Sequence, residues 1–427
     1  MNLTSVKHVH FLGIGGIGVS ALARMMLHQG KAVSGSDRTL SRITEELARM
    51  GARIYEGHHP ENIGQSVDVV IYSPAITEDN PELVYARKMH IPTMTYPQAL
   101  GRISENAYTV AVSGTHGKTT TTAMIADVLR KRIEPTVIVG SLLSGGRSNF
   151  VPGDARRFVV EACEYKRSFL SLSPSILVIT NIDEDHLDYY KDLTDIESAF
   201  RELVQKVPEH GFIVCDLNSP SVRRALRGAV ATIVNYPAYV DPQRRLTVMG
   251  KHNQMNAAVA HAVADIFGID EKELNEDLKN FKGTWRRSEE KGKHASGALV
   301  YDDYAHHPTE IQTTLAGFRE RFPEKHIVVV FQPHLYSRTK THFNDFAESF
   351  HHADRVLLAP IYAARETHDP SVSHHTLGDA IRSYGKKVES YESLDALTHA
   401  LSRSSGPDDI IVTMGAGDVY QVGEKLL

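Results

Sequence analysis

The segment Ser113-Gly114-Thr115-His116-Gly117-Lys118-Thr119-Thr120 restricts the fold of this chain more than any other part of its sequence. It follows the β-branched run YTVAV and precedes a helical stretch rich in Ala, Met and Leu, so it reads as strand, glycine turn and helix. In that context it is a P-loop of the short G-T-x-G-K-T variety, because Val112 stands where the longer pattern has its first glycine. Amides at a helix N-terminus attract phosphate, and a lysine placed there reaches the outer phosphates of ATP. The expected nucleotide contacts are Gly114, Thr115, His116, Gly117, Lys118, Thr119 and Thr120, with Thr119 also holding Mg²⁺. Such a loop requires a mostly parallel α/β sheet, where ligands bind beyond the carboxyl ends of the strands.

A second glycine turn lies upstream. Strand VHFLG leads into Gly13-Ile14-Gly15-Gly16-Ile17-Gly18, and Asp37 lies 19 residues beyond Gly18 at the end of the next strand. This satisfies the dinucleotide fingerprint, in which glycines let the backbone approach a diphosphate. The alternative is a tight strand-to-helix turn with no ligand. Both NAD and a UDP-sugar carry a diphosphate, so the turn alone does not choose between them.

The β-rich runs VHFLG, KAVSGS, VDVVIYS and IPTMTY alternate with helical patterns, and similar series restart at YTVAVSG and after the polar stretch RRSEEKGKHASG. A length of 427 residues exceeds one ordinary core. The pattern predicts three α/β domains: a Rossmann-like N-terminal domain over 1–106, a central P-loop ATPase-type domain over 107–294, and a Rossmann-like C-terminal domain over 295–427. No apolar run approaches the roughly 20 residues of a membrane-spanning helix. A net charge of −5 argues against a broad nucleic-acid surface. Two cysteines, Cys163 and Cys215, make no disulfide framework and are expected as thiols. The N-terminal residues run directly into a strand without the regions of a signal peptide, so a cytoplasmic location is expected.

Two further polar segments follow strands of the central domain, Glu161-Ala162-Cys163-Glu164-Tyr165 after RFVV and Asp183-Glu184-Asp185-His186-Leu187-Asp188 after ILVITNI. Both should converge on the P-loop. Hard Mg²⁺ favours carboxylate oxygen, and a histidine can complete a site crowded by phosphate oxygens. Glu161 and His186 are therefore candidate metal ligands beside Thr119, with Glu164, Asp183 and Asp188 following them. A solvated loop end or a helix cap is the alternative for each.

HFLGIGGIGVSALA with GSD, then SPAI, SGTHGKTTTT, EACEYKRSFL, TNIDEDHLDYY, GKHNQMNAAVA, DDYAHHPTEI, FQPHLYSRT and MGAGD, resemble the Mur ligase family over nearly the whole chain. The combination of DDYAHHPTEI with FQPHLYSRT is similar to the branch that acts on UDP-N-acetylmuramate and L-alanine, and FQPHLYSRT separates it from the murein-recycling branch, which attaches a whole tripeptide.

The resemblance implies an ATP- and Mg²⁺-dependent ligase that activates a carboxylate as an acyl phosphate, a monomer or weak homodimer with no membrane or nucleic-acid partner. It implies that Gly13, Gly15, Gly16, Gly18, Asp37 and Ser73 of SPAI serve the UDP-sugar in the first domain. It implies ATP phosphates on Lys118 and the P-loop amides, Mg²⁺ on Thr119, Glu161 and His186, and nucleotide contacts at Asn253, Asn256, Arg287 and Asp303. The third domain then closes over ATP and receives the amino acid, with His306, His307, His334, Tyr336 and Arg338 near the substrate carboxylate and incoming amine. Lys118, His186, His334 and Arg338 are the implied catalytic set.

Three departures stand out: Cys163 where the family often has Asp, Thr284-Trp285-Arg286-Arg287-Ser288 in place of G-V-x-R-R-F, and Phe200 where related ligases carry a carbamylated lysine. The sequence leaves open a preference among Ala, Ser and Gly. Two other classes stay open beside the ligase, a nicotinamide-dependent oxidoreductase using the first glycine turn and a non-catalytic nucleotide-binding protein.

Overall fold

Each series of β-rich runs forms its own sheet in the computed structural model, which describes residues 3–143, 148–364 and 366–427. The first sheet contains β1 (His8–Leu12), β2 (Ala32–Asp37), β3 (Arg53–Glu56), β4 (Val69–Tyr72) and β5 (Thr93–Thr95), in the order β3-β2-β1-β4-β5. All its pairs are parallel. Helices α1 (Ile17–His28), α2 (Arg42–Arg49), α3 (Pro81–Lys88) and α4 (Tyr96–Ser104) connect it. Their starts are written locally. Ser41 with Thr44 and Thr95 with Gln98 form capping boxes, and the Asn80 side chain accepts from the Glu82 and Leu83 amides.

The second sheet contains β6 (Tyr108–Ser113), β7 (Pro135–Ile138), β8 (Phe150–Val151), β9 (Asp154–Glu161), β10 (Ile176–Ile179), β11 (Phe212–Cys215) and β12 (Thr232–Asn235). Its order is β12-β11-β10-β6-β9-β7-β8, parallel except for β7 with β8. Strand β6 is flanked by β9 and β10, so three carboxyl ends emerge together where α5 (Lys118–Ile133) begins. The first and second sheets share one core, which includes Phe11 and Ile71 from the one and Phe158 and Ile179 from the other. Phe200, on α6 (Leu193–Val204), is fully buried in it with its ring 5.1 Å from that of Phe169. Asn149 donates to Ser20 Oγ at 2.9 Å, and a Cβ on Gly101 would overlap the Ser171 carbonyl, so α1 and α4 lie tightly against the central domain.

The third sheet contains β13 (Glu289–Lys293), β14 (Leu299–Asp303), β15 (His326–Phe331), β16 (Arg355–Leu358), β17 (Lys387–Ser390) and β18 (Asp409–Met414), in the order β13-β14-β18-β15-β16-β17. It starts at Glu289, just before the joint expected at 294, because part of the polar stretch pairs antiparallel to β14. The Tyr301 hydroxyl meets the Glu290 carboxylate across that pair at 3.1 Å. Phe318, Phe331, Phe346 and Phe350 fill one face of this sheet, and Val300, Val330, Leu397 and Leu401 the other. The chain divides into two compact units, residues 1–243 with 255–278 and residues 244–254 with 279–427. Among the described residues no helix is long and apolar enough to cross a membrane.

Candidate active site

The P-loop turns through two positive-φ glycines, Gly114 at 134° and Gly117 at 80°. No other residue fits Gly114, where a Cβ would overlap Thr180 Oγ1. The exit of β10 holds the loop from the side. The Thr115 amide donates to the Asn181 carbonyl at 3.1 Å, the His116 amide to Asn181 Oδ1 at 2.8 Å, and Thr180 Oγ1 to the His116 carbonyl at 2.7 Å. Asn256 stands at the start of α5. Its Oδ1 accepts from Thr121 Oγ1 at 3.0 Å and lies 2.8 Å from where a Gly117 Cβ would be.

Lys118 Nζ donates to the carbonyls of Gly114 and Thr115 at 2.6 and 2.9 Å and to Glu164 Oε1 at 3.0 Å. Burial alone would lower the ammonium's pKa, but the Glu164 and Glu161 carboxylates outweigh it and hold it above the ordinary lysine value. Thr119 Oγ1 donates to Glu161 Oε2 at 2.9 Å, and the Gly140 amide reaches the same oxygen at 2.9 Å. His186 Nε2 lies 3.6 Å from Glu164 Oε1. Thr119, Glu161, Lys118 and His186 therefore converge as expected, with the buried Glu164 linking the last two. Hydroxyl and carboxylate oxygens side by side, with an imidazole adjacent, fit a hard dication beside phosphate oxygens.

The remaining acids tie down the loops. Asp183 Oδ2 lies 3.4 Å from His116 Nε2, and Asp188 accepts from the Tyr165 hydroxyl at 2.8 Å. The Tyr165 ring lies 4.8 Å from that of His186, which sits at φ 56°. A non-glycine residue there carries strain of about 1 kcal/mol, as at many functional sites.

In the first domain Gly13, Gly15, Asp37 and Ser73 are brought together. Gly13 has φ 72° and its added Cβ would lie 3.2 Å from Ser73 Cβ. The amides of Gly13 and Ile14 both donate to the Ser36 carbonyl, at 2.8 and 3.1 Å. Asp37 Oδ2 accepts from the Gly15 amide at 2.8 Å, so this carboxylate closes the turn itself. Gly16 donates from its amide to the Gly13 carbonyl at 3.1 Å. Beneath the turn, fully buried Glu82 accepts from Asn62 Nδ2 at 2.6 Å and from Ser36, with His58 Nδ1 at 3.1 Å. Burial pushes its pKa up, and the neighbouring His10 imidazole, 3.8 Å away, with the hydrogen bonds from Ser36 and Asn62 more than reverses this.

Tyr96 is a residue for which the sequence carried no signal. Its ring fills the space beside Gly18, 2.8 Å from where a Cβ would be, and burial and the Glu161 charge push its phenol pKa up. It thus lies against the glycine turn within the field of the carboxylate at Thr119. Gly140 was missed for the same reason, as was the strap from Thr180 and Asn181.

In the other unit, buried Asp303 accepts from the Ser288 and Ala305 amides at 2.6 and 2.8 Å. Burial pushes its carboxyl up to about 6, against the pull of Arg287. Arg287 lies over the Tyr304 ring at 5.2 Å. Its neighbour Arg286 is the buried one, donating to Asp302 at 2.8 Å and to the Gly417 carbonyl at 2.9 Å. His334 Nδ1 lies 3.1 Å from Arg338 Nη1, and the His306 ring is 5.8 Å from that of His334. His307 caps the helix Pro308–Arg321, its Nδ1 accepting from the Thr309 amide. Tyr336 opens the helix Tyr336–Thr341, with its ring 5.4 Å from that of His368. Asn253 donates to the Met249 carbonyl at 2.6 Å.

Three family models match the chain, described as Mur ligase family, catalytic domain over residues 8–108, Mur ligase middle domain over 112–242, and Mur ligase, glutamate ligase domain over 286–417. The chain is 42% identical to a UDP-N-acetylmuramate–L-alanine ligase of Clostridium acetobutylicum, over 99% of this chain and 97% of that protein. A relative of the same description from Clostridium novyi is 40% identical with the same coverage. The solved UDP-N-acetylmuramate-alanine ligase of Thermotoga maritima superposes with a TM-score of 0.81 at 30% identity, over 98% of both chains. A murein peptide ligase of Psychrobacter arcticus gives a TM-score of 0.71 at 25% identity, again over 98% of both.

Proposed function

The chain belongs to the Mur ligase family, and from that premise we propose that it joins L-alanine to the lactoyl carboxylate of UDP-N-acetylmuramate, converting ATP to ADP and phosphate, in peptidoglycan precursor synthesis. The observation that carries the chemistry is the convergence of Lys118, the Thr119–Glu161 pair and the Glu164–His186 pair beyond the carboxyl ends of β6, β9 and β10. Full-length relatives described by this activity support the choice of substrates.

Residues 1–106 take the UDP-sugar at the turn of Gly13, Gly15, Gly16 and Gly18, beside Asp37 and Ser73. Residues 107–294 take ATP on Gly114 to Thr120, Asn253, Asn256 and Arg287, and Asp303 serves the nucleotide from the sequence beyond. Residues 295–427 take the amino acid, with His307 and Tyr336 near the substrate. Thr119, Glu161 and His186 would hold Mg²⁺, which when bound supplies neutralising charge for the transferring phosphoryl group.

Lys118 exchanges its carbonyl and Glu164 partners for phosphate oxygens, and those carboxylates keep it charged while it does so. The substrate carboxylate takes the γ-phosphoryl group and becomes an acyl phosphate. The alanine amine then attacks the carbonyl carbon, phosphate leaves, and the amine gives up a proton as the amide forms. Arg338 is assigned to the substrate carboxylate and His334 beside it to the amine. The nicotinamide alternative leaves the whole P-loop cluster without a role.

A phosphate-release assay crossing UDP-sugars with amino acids tests this reading. Release should require both UDP-N-acetylmuramate and L-alanine, and Lys118→Ala should keep the fold at reduced stability, because Glu164 loses its partner, and lose on the order of 10²-fold or more in turnover. Release without the UDP-sugar, or a tripeptide preferred over L-alanine, would sink it.

A further inference from the structure

We propose that His374, His375 and Glu392 form a binding site for a transition-metal dication of the zinc class, sharing no residue with the ATP site. Ser373 begins the helix His374–Ser383 with a capping box, its Oγ accepting from the Thr376 amide at 3.1 Å, so the backbone under both histidines is fixed. Glu392 approaches from the turn that follows β17, an edge strand of the third sheet. His375 Nε2 lies 2.8 Å from Glu392 Oε1, and the two imidazole centroids are 4.1 Å apart. One ligand atom from each residue lies within 4.8 Å of the others. Bonds of about 2.0–2.2 Å in a tetrahedral site put ligand atoms roughly 3.4 Å apart. The His375 and Glu392 side chains are exposed and free of the packing that would hold them from that spacing.

His374 supplies the second, independent observation. It is 8% exposed, and its Nε2 is buried with no hydrogen-bond partner. The ring has a backbone hydrogen-bond partner at Tyr391. An imidazole with one nitrogen engaged by backbone and the other left as a lone pair is how metal-ligating histidines are held. Leaving a buried polar atom unmatched is unfavourable, and a bound cation would remove that cost. Two imidazoles and one carboxylate select a borderline ion such as Zn²⁺ over the harder Mg²⁺ or Ca²⁺. The positive end of the helix opposes a cation only weakly, and the Glu392 charge offsets it. A bound ion would fasten the start of this helix to the exit of β17, with water completing the coordination.

The test uses the full chain, with Zn²⁺ titrated by equilibrium dialysis in excess Mg²⁺, alongside the His375→Ala, Glu392→Ala double variant. Both substituted side chains are exposed, so the fold and the phosphate-release activity should persist. Wild type should bind one more equivalent of Zn²⁺ than the variant, which weakens that site on the order of 100-fold or more, and only wild type should gain thermal stability that EDTA reverses. Equal stoichiometry with equal stabilisation places any bound zinc elsewhere and overturns the proposal, as does the absence of zinc binding to wild type.

Discussion

Asp303 brings a carboxylate into a nearly water-free part of the third domain, where two amides and Arg287 only partly replace its hydration. Its carboxyl lies at about 6 instead of the ordinary 3.8. A folded-state value raised in this way adds stability that is complete below pH 3.8 and is lost as pH rises through about 6. Asn at this position does not titrate. The stability of Asp303→Asn relative to wild type, from denaturant unfolding at several pH values, should therefore shift in favour of the variant between pH 4 and 7, by as much as about 3 kcal/mol. A difference constant with pH would show that the carboxylate is solvated as in the unfolded chain. Lys118 and Glu164 illustrate the opposite balance. Glu164 is buried and Lys118 mostly so, but each neutralises the other, and removing one partner leaves an uncompensated charge.

At the scale of elements, the two strand-turn-helix units use glycine for different reasons. Gly114 needs both its positive φ and its missing side chain, since Thr180 occupies the space a Cβ would take. Gly15 needs only the space. A Cβ there would lie 2.9 Å from Asp37 Oδ2 and 3.0 Å from the Thr44 methyl, so a larger residue pushes away the carboxylate that closes the turn. Gly15→Val should accordingly weaken UDP-N-acetylmuramate binding and leave ATP binding largely intact, with calorimetric titration separating the two. Equal losses for both ligands would mean that the turn supports the P-loop, a route that Tyr96, lying against Gly18, makes available.

For the whole molecule, the first and second sheets share a single core, while the third sheet has its own. Domains that share a core unfold together. Ile71→Val in the first sheet and Ile179→Val in the second, both fully buried, should each cost about 0.5–1.5 kcal/mol and lower the same calorimetric transition. Ile327→Val, equally buried in the third sheet, should act on the transition of the other unit. Separate responses to Ile71→Val and Ile179→Val would show the first two domains to be energetically independent.

The sequence by itself determined the three α/β domains, the P-loop at Lys118, the glycine turn at Gly13 to Gly18, and the convergence of Glu161 and His186 on the phosphate loop. Each follows from a local rule: alternating β-rich and helical runs, a glycine turn between strand and helix, and polar groups just past the carboxyl ends of parallel strands. Tertiary structure alone decided that Glu164 pairs with Lys118, that Asp37 closes its own turn, that Arg286 and not Arg287 is buried, and that Tyr96 fills the space beside Gly18. It also decided that Asn149 reaches Ser20, 129 residues away, across a core common to two domains. Such partners meet because helices and sheets pack side by side, and packing between segments distant in the chain leaves no periodicity or spacing in either segment from which to read it.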